Sequence, residues 1–294
     1  MKPARPTMAI EPTAVGSSVG PVHREWTDVE TMLYALGVGA GVDEPAFTTE
    51  NSHGVSQQVL STFAVVLCAD VGALRGVGDI DYGRLVHAGQ AFRLSRPLSP
   101  AGCLIVTSEV TAIFDKGPGK HAIVEITTRG VDCDTAELVA EALSTVLIRG
   151  AGGFGGQADT APSPPAVPDR EPDVVRAGQT TADQALLYRL SGDRNPLHSD
   201  PWFASMKAGF PRPILHGLCT YGFAGRALTH ELCGGDATKL TAMSGRFSAP
   251  VYPGDSLLTE AWITGPGLAL FRTVAVGDEG PRDVLVNGTA HYLQ

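Results

Sequence analysis

The chain has 294 residues, of which 43% are hydrophobic and 18% are charged, a composition typical of a globular protein with one large or two ordinary domains. Its formal charge of −9 disfavours a general nucleic-acid-binding or anionic-membrane surface, so we expect neither partner. No apolar run reaches the ~20 residues that span a bilayer, and the N-terminus lacks the apolar segment of a secretory signal. We therefore expect a cytoplasmic protein.

The five cysteines are scattered, odd in number and without a Cys-x-x-Cys pair. This pattern favours reduced thiols over a disulfide framework or a zinc site. The residues concerned are Cys68, Cys103, Cys133, Cys219 and Cys233.

Along the chain, residues 1–22 are rich in Pro, Gly and Ser and are predicted to form a loose N-terminal arm. Thr27 and Glu30 then form a capping-box pattern, which predicts a helix start. A longer apolar helix is expected over residues 56–74. Strand-like runs rich in Val, Ile and Thr follow at residues 104–114, 122–129 and 138–149.

The second half of the chain repeats the first. Thr181 and Gln184 repeat the capping box at an offset of 154, residues 93–100 match residues 246–253 at 153, and residues 60–63 match residues 218–221 at 158. Three matches in the same order indicate an internal duplication. The repeated elements are a long helix over residues 216–232 and strands over residues 240–247, 257–264, 268–276 and 284–292.

A Gly- and Pro-rich run over residues 150–173 is predicted to link the two copies, which would occupy residues 23–149 and 174–294. In each copy the helices come early and the strands late, with short connections. This order predicts an α+β fold in which an antiparallel sheet is covered by the long helix. Two such units could pair their edge strands into one wide sheet.

Residues 188–198 hold the strongest chemical signal. Asp193 and His198 flank a turn that contains Asn195-Pro196, so a carboxyl group and an imidazole can converge on one point, which suits proton transfer. Gly217 opens the second long helix, where an unpaired N–H could form an oxyanion hole. The alternatives are a purely structural turn, and a glycine that only permits close packing.

The two copies differ at this turn. At the offset of 154, Asp193 corresponds to Gly39 and His198 to Glu44. One turn with the pair and one without favour chemistry at a single site. Drift of the two copies at a permissive loop is the alternative.

Residues 188–198 and 213–217 closely resemble the signature of the R-specific enoyl-CoA hydratases, which are MaoC-like dehydratases with a hot-dog fold. The duplicated layout resembles the double hot-dog members over nearly all of the chain from about Trp26. The resemblance implies reversible hydration of a trans-2-enoyl thioester to an R-3-hydroxyacyl thioester. It implies that Asp193 and His198 hold and activate the water, with His198 accepting a hydrogen bond from it and Asp193 donating the α proton during hydration.

By the same resemblance, Asn195 helps to position the site and the Gly217 amide binds the thioester oxygen. Glu50 stands about where double hot-dog relatives place a further glutamate, although the match is short and a solvated loop carboxylate is the other reading. Because coenzyme A carries phosphates, basic side chains should edge the pocket. The candidates are Arg194, Lys207, Arg212 and Arg246, each of which could also be an ordinary surface charge.

The implied reaction needs no metal, nicotinamide or flavin, so we expect no cofactor apart from the coenzyme A of the substrate. The rival functions are a hot-dog thioesterase and a non-catalytic acyl-thioester-binding subunit. Whether the acyl carrier is coenzyme A or an acyl carrier protein stays open, as does the acyl chain. We expect a homodimer, and we expect residues 59–66 of the first copy to shape an acyl tunnel.

Overall fold

The computed structural model describes residues 9–69, 72–158 and 165–294. The helices, apart from single 3-10 and π turns, are α1 (Asp28–Gly37), α2 (Pro45–Thr48), α3 (Ala64–Leu67), α4 (Gln184–Tyr188) and α5 (Gly217–Cys233). The strands of the first copy are β1 (Ala9–Ile10), β2 (Ser18–Trp26), β3 (Gly78–Asp79), β4 (Leu85–Leu94), β5 (Gly102–Asp115), β6 (Ala122–Asp132) and β7 (Leu138–Ile148). Those of the second copy are β8 (Val174–Gln179), β9 (Leu240–Phe247), β10 (Ser256–Gly265), β11 (Leu268–Gly277) and β12 (Gly280–Tyr292).

Ten of these strands form one antiparallel sheet in the order β2-β5-β6-β7-β4-β9-β12-β11-β10-β8. The order of the first five strands is the mirror of the last five, as expected for a duplicated unit. The two units join where β4 pairs with β9, with Ala91 opposite Ser244. The expectation of a double hot-dog, with two units fused through neighbouring strands into one wide sheet, is confirmed.

Helix α5 lies against this sheet and is buried along most of its length, including Tyr221, Ala224 and Leu228. The Tyr221 hydroxyl donates a hydrogen bond to the Met243 carbonyl in β9, at 2.6 Å. The side chains around α5 form a single hydrophobic core that takes residues from both units. The helix is therefore fixed in place by the sheet junction beneath it.

The helix predicted over residues 56–74 is wrong. Among the described residues of this segment, 56–69 and 72–74, the structure has a 3-10 turn at Ser61–Phe63, the single-turn helix α3, and the start of another 3-10 turn at Gly72–Gly76. The Ser61 hydroxyl donates to the Ala237 carbonyl of the second unit, at 2.8 Å. Ser61, Thr62 and Phe63 are all buried against that unit, so tertiary contacts replace the helix that apolar composition alone favours.

Three strands of the ten-stranded sheet, β2, β4 and β8, were not predicted, and neither were the two-residue strands β1 and β3. Residues 18–22, expected in the loose arm, belong to β2, which lies at the edge of the sheet. Pro21 is tolerated there because an edge strand has a free side that needs no N–H donor. Glycine and polar residues interrupt both β2 and β8, so neither strand contains a long apolar run.

The expectation that all cysteines are reduced is wrong for Cys103 and Cys133, which form a disulfide. Their separation of 30 residues gives no hint of it, but the β5–β6 hairpin brings their Cα atoms to 5.6 Å. Cys68, Cys219 and Cys233 are free and buried.

The predicted linker includes residues 159–164, which lie outside the described residues. Its glycine-rich start is held by Asp115, whose carboxylate accepts hydrogen bonds from the Gly153 and Gly155 amides at 2.7 and 2.8 Å. Within the described parts of the chain, no helix has both the length and the apolar character needed to cross a membrane.

Candidate active site

The turn that carries the predicted catalytic pair is held by short side chains. Gly192 has a φ of 123°, a conformation that other residues rarely adopt. The Asp193 carboxylate accepts a hydrogen bond from the Asn195 N–H, and the Asn195 side-chain oxygen accepts one from the Leu197 N–H, both at 3.0 Å. Asn195 therefore caps the 3-10 turn that ends at His198.

Three titratable groups meet at this corner. The Asp193 carboxylate and the ring nitrogens of His198 and His216 offer atoms that all lie within 4.8 Å of one another. The two imidazoles are stacked, with ring centroids 3.8 Å apart and planes inclined by 28°. Asp193 is exposed while both histidines are buried, so the cluster lies at the border between solvent and core.

The hydrogen bonds of His198 fix its chemistry. Its Nδ1 lies 2.8 Å from the Ile214 carbonyl oxygen, which can only accept, so Nδ1 carries the proton. Burial lowers the pKa of His198, which keeps the ring neutral near pH 7. A neutral ring protonated on Nδ1 has its lone pair on Nε2. His198 is thereby prepared to accept a proton from a bound water.

His216 is held in the opposite tautomer. Its Nε2 donates to the Asp193 backbone carbonyl at 3.1 Å. Burial, and then the neighbouring His198, lower the pKa of His216 to about 4. Its Nδ1 is buried and has no hydrogen-bond partner among the described residues. His216 was assigned no role from the sequence, although its position directly before Gly217 was an available signal.

Gly217 is the first residue of α5, so its amide is among the N–H groups that have no partner within the helix. A Cβ at Gly217 would lie 3.3 Å from the Phe247 ring, which is tighter than ordinary contact. Phe247 in turn contacts the His87 ring of β4, at 5.1 Å between centroids. The helix start therefore borders the junction of the two units.

His87 was missed by sequence reasoning. It comes from the copy that lacks the acid–imidazole pair, and nothing in its strand distinguishes it from other polar residues. Its Nε2 is buried with no hydrogen-bond partner among the described residues. Burial lowers the pKa of His87, while hydrogen bonds with Gln90 and Gly89 and the charge of Asp193 oppose part of that effect.

The predicted basic residues fall into two groups. Arg194 is exposed within the turn that carries the predicted catalytic pair, and Lys207 and Arg212 are exposed on the segment that connects this turn to α5. Lys207 lies 5.4 Å from the Trp202 ring centroid, and Arg212 lies 4.7 Å from that of Tyr252.

Arg246 is not brought to the site. It neighbours Phe247 in β9, and successive side chains of a strand point to opposite faces. Since Phe247 faces Gly217, Arg246 faces away from α5. Glu50 is exposed and lies two residues after the end of α2, and it makes no hydrogen bond or ion pair with Asp193, His198 or His216.

Glu44, at the position that matches His198 by offset, has a different role in the first unit. Its buried carboxylate accepts hydrogen bonds from Arg226 Nη2 at 2.6 Å and from His230 Nε2 at 2.5 Å, both on α5. The turn without a catalytic pair therefore anchors the helix whose first amide borders the catalytic cluster.

Two family models match the chain in tandem. Residues 25–150 match the MFE-2 hydratase 2 N-terminal domain, and residues 164–279 match the MaoC like domain. The chain is 54% identical to 3-hydroxyacyl-thioester dehydratase Y of Mycobacterium tuberculosis, over 97% of this chain and 99% of that protein. It is 40% identical to enoyl-CoA hydratase ChsH3 of the same organism, over 86% of this chain and 88% of that protein.

Among solved structures, the chain is similar to a MaoC-like dehydratase from Phytophthora capsici, with a TM-score of 0.86 and 30% identity over 97% of this chain and 98% of that one. The turn with Asp193 and His198 lies within the part that matches the MaoC like domain. The chain belongs to the MaoC-like dehydratase family, in its two-unit form with a hydratase 2 N-terminal domain.

Proposed function

We propose that the protein is an R-specific enoyl-CoA hydratase, or (3R)-hydroxyacyl-thioester dehydratase, which adds water reversibly to a trans-2-enoyl thioester. The observation that carries the proposal is the His198 imidazole, neutral and with its Nε2 lone pair free, beside the Asp193 carboxylate at the start of α5. The names of the relatives, which are dehydratases and enoyl-CoA hydratases, support the same reaction.

In the hydration direction, His198 Nε2 takes a proton from water as the water oxygen bonds to the β carbon. The electron pair of the double bond moves toward the thioester oxygen, where the Gly217 N–H stabilises the developing charge, an interaction worth roughly 3–4 kcal/mol in comparable sites. His198 passes this proton to the Asp193 carboxylate, and the two groups offer atoms that lie within 4.8 Å of each other. Asp193 then delivers the proton to the α carbon, which returns both groups to their starting states. Dehydration follows the same steps in reverse.

The acyl carrier in this proposal is coenzyme A. Arg194, Lys207 and Arg212 are exposed positive charges between Asp193 and the start of α5, against the overall charge of −9, and Arg212 also lies 4.0 Å from the exposed Asp278 carboxylate. We expect Arg212→Gln to raise KM for crotonyl-CoA and to leave KM for crotonyl-pantetheine, which lacks the nucleotide phosphates, unchanged. Arg246→Gln is the matched control because its side chain lies on the other face of β9. Equal effects of both variants would contradict this assignment.

The test of the reaction is to incubate the protein with crotonyl-CoA and to follow loss of the enoyl absorbance together with release of free thiol. Hydration removes the enoyl absorbance without release of free thiol, and the 3-hydroxyacyl product should be the R enantiomer. Release of thiol would instead indicate a thioesterase, and no change would indicate a non-catalytic thioester-binding subunit.

Asp193→Asn is the decisive variant because an asparagine oxygen can still accept the Asn195 N–H, so the turn is retained while the acid is lost. We expect kcat to fall by about 10²–10⁴-fold. Asp200→Asn is the control: Asp200 accepts the Trp202 N–H at 2.9 Å in the same loop, and asparagine keeps that bond as well. An Asp193→Asn enzyme with the turnover of Asp200→Asn would refute the mechanism.

The homodimer and the cytoplasmic location stay predictions. The two edge strands, β2 and β8, carry the exposed apolar side chains Val19 and Val175, at 39% and 52% exposure, which supports pairing with a second copy. Light scattering on the full chain, with Val175→Lys as the variant, tests this pairing. A monomer at all concentrations would contradict it.

A further inference from the structure

A second cluster of reactive side chains lies at the β2 edge of the first unit. Cys103 at the start of β5, Cys133 just after β6 and His23 in β2 each offer one ligand atom, and these three atoms lie within 4.8 Å of one another. Four strand steps separate β2 from β4, so at ~4.8 Å per step the cluster is about 20 Å along the sheet from the strand that carries His87. The reaction proposed above does not use these residues.

The geometry of the cluster is close to that of a tetrahedral metal site. His23 Nδ1 lies 4.0 Å from the sulfur of Cys103 and 4.0 Å from that of Cys133. Tetrahedral zinc places thiolate sulfur and imidazole nitrogen about 3.5 Å apart, and two sulfurs about 3.8 Å apart. The nitrogen therefore needs a shift of about half an ångström, whereas the sulfurs must separate from their bonded distance.

Separation of the sulfurs requires reduction. In the structure they form the Cys103–Cys133 disulfide, and two equivalents of a small cellular thiol such as glutathione would convert it to two thiols with formation of one oxidised glutathione. Binding of a divalent ion then releases the two thiol protons, and the thiolates and the His23 nitrogen donate electron pairs to the metal. The disulfide-bonded state and the metal-bound state therefore exclude each other, because both use the same two sulfur atoms.

The surroundings give a fourth ligand room to enter. A cavity of 260 Å³ is lined by both cysteines together with Trp26 and the acidic residues Asp132 and Asp134. Asp132 is engaged by Arg96, at 2.5 Å, while Asp134 is exposed beside the sulfurs. Two thiolates and an imidazole favour zinc-like ions over magnesium or calcium, which prefer oxygen ligands.

We propose that Cys103, Cys133 and His23 form a binding site for a thiophilic divalent cation such as Zn²⁺ when the cysteines are reduced, and that the disulfide is the metal-free oxidised state. The metal would tie the edge strand β2 to the β5–β6 hairpin. In a reducing cytoplasm the site would be competent to bind, so the metal would replace the disulfide as the cross-link of this edge.

The test uses the full chain, reduced and desalted without oxygen, and titrated with Co²⁺. We expect one Co²⁺ per chain, a near-ultraviolet thiolate-to-cobalt charge-transfer absorption, and displacement by Zn²⁺. The disulfide form should bind none. His23→Gln should weaken binding on the order of 100-fold, because an exposed ligand is lost without damage to the core. Zn²⁺ should raise Tm of the reduced wild type and not of the variant.

Two control variants separate this site from others. Cys233→Ser removes a thiol that lies outside the cluster, and Asp193→Asn alters the other group of three possible ligands, at the catalytic corner. Both should bind Co²⁺ as the wild type does. The proposal is overturned if the reduced wild type shows no thiolate–cobalt absorption, if His23→Gln binds with unchanged affinity, or if Asp193→Asn abolishes binding. These readouts do not depend on turnover of any thioester.

Discussion

The buried contact between Glu44 and α5 allows a quantitative prediction. The side chain of Glu44 is 8% exposed, and those of Arg226 and His230 are 15% and 20% exposed. Burial alone would raise the pKa of Glu44, but hydrogen bonds from His230 and Arg226 outweigh it and hold that pKa at about 2, below the ordinary 4.5. A carboxylate whose pKa is lower in the folded than in the unfolded state stabilises the fold at every pH at which it is ionised in both states.

The magnitude follows from this difference in pKa. A change from 4.5 to about 2 corresponds to about 3 kcal/mol of unfolding free energy at neutral pH. Since the pKa is lowered on folding, the contribution is complete above pH 4.5 and is lost as pH falls toward 2. Glu44→Gln removes it and leaves Arg226 with a neutral partner, so we expect a loss of about 3 kcal/mol, or roughly 5–10 °C in Tm.

The assay is denaturant unfolding of the wild type, Glu44→Gln and Glu231→Gln between pH 8 and pH 3. Glu231 is the matched control because it is also in an ion pair of α5, with Arg176 at 2.9 Å, but at the surface. We expect a loss of less than about 1 kcal/mol for that control. The difference between wild type and Glu44→Gln should shrink as pH falls below 4.5. A difference that is independent of pH, or equal losses in the two variants, would refute the electrostatic explanation.

Four further outcomes are expected. Burial lowers the pKa of His198, so kcat/KM for crotonyl-CoA should be constant from pH 8 to pH 6.5 and should decline only below that range. A decline that begins at or above pH 6.5 would contradict the assignment of His198 as a neutral base. Gly225→Ala would place a Cβ 2.2 Å from Thr62 Cγ2 between the two units, so thermal unfolding should show a loss of about 1–3 kcal/mol. His87→Phe should raise Tm, because it removes a buried nitrogen that has no hydrogen-bond partner among the described residues. The same variant should lower kcat, and unchanged kinetics would show that the His87 imidazole has no part in the site. Val66→Phe should spare crotonyl-CoA and slow long-chain enoyl-CoAs if the first unit shapes the acyl tunnel, and an unchanged chain-length profile would contradict that role.

The fold was predictable wherever local pattern and tertiary packing agree. The apolar β-branched runs of β5, β6 and β11 are found within a few residues of their predicted bounds. The capping box of Thr27 and Glu30 starts α1 as expected, with the Thr27 N–H donating to the Glu30 carboxylate at 2.9 Å. These features depend on neighbours in sequence, so a single chain contains enough information to predict them.

Features that depend on distant contacts were not predictable in the same way. Residues 61–67 are apolar enough for a helix, but their burial against the second unit, including the Ser61–Ala237 hydrogen bond, decides their conformation. The Cys103–Cys133 pairing depends on the register of a hairpin. For the same reason, sequence placed Arg246 near the substrate, whereas the alternation of side chains along β9 turns it away.

The site itself shows why a duplicated chain can keep one catalytic centre. The catalytic pair, the α5 amide and Phe247 come from the second unit, but Phe247 contacts His87 of the first, and Glu44 of the first unit holds the helix from its outer side. The strands that carry His87 and Phe247 are neighbours only because the two units join at β4 and β9. A change in that register would turn His87 to the opposite face. The first unit is therefore constrained at His87 and Glu44 although its turn carries no acid–imidazole pair, and we expect the activity of the second unit to depend on these contacts.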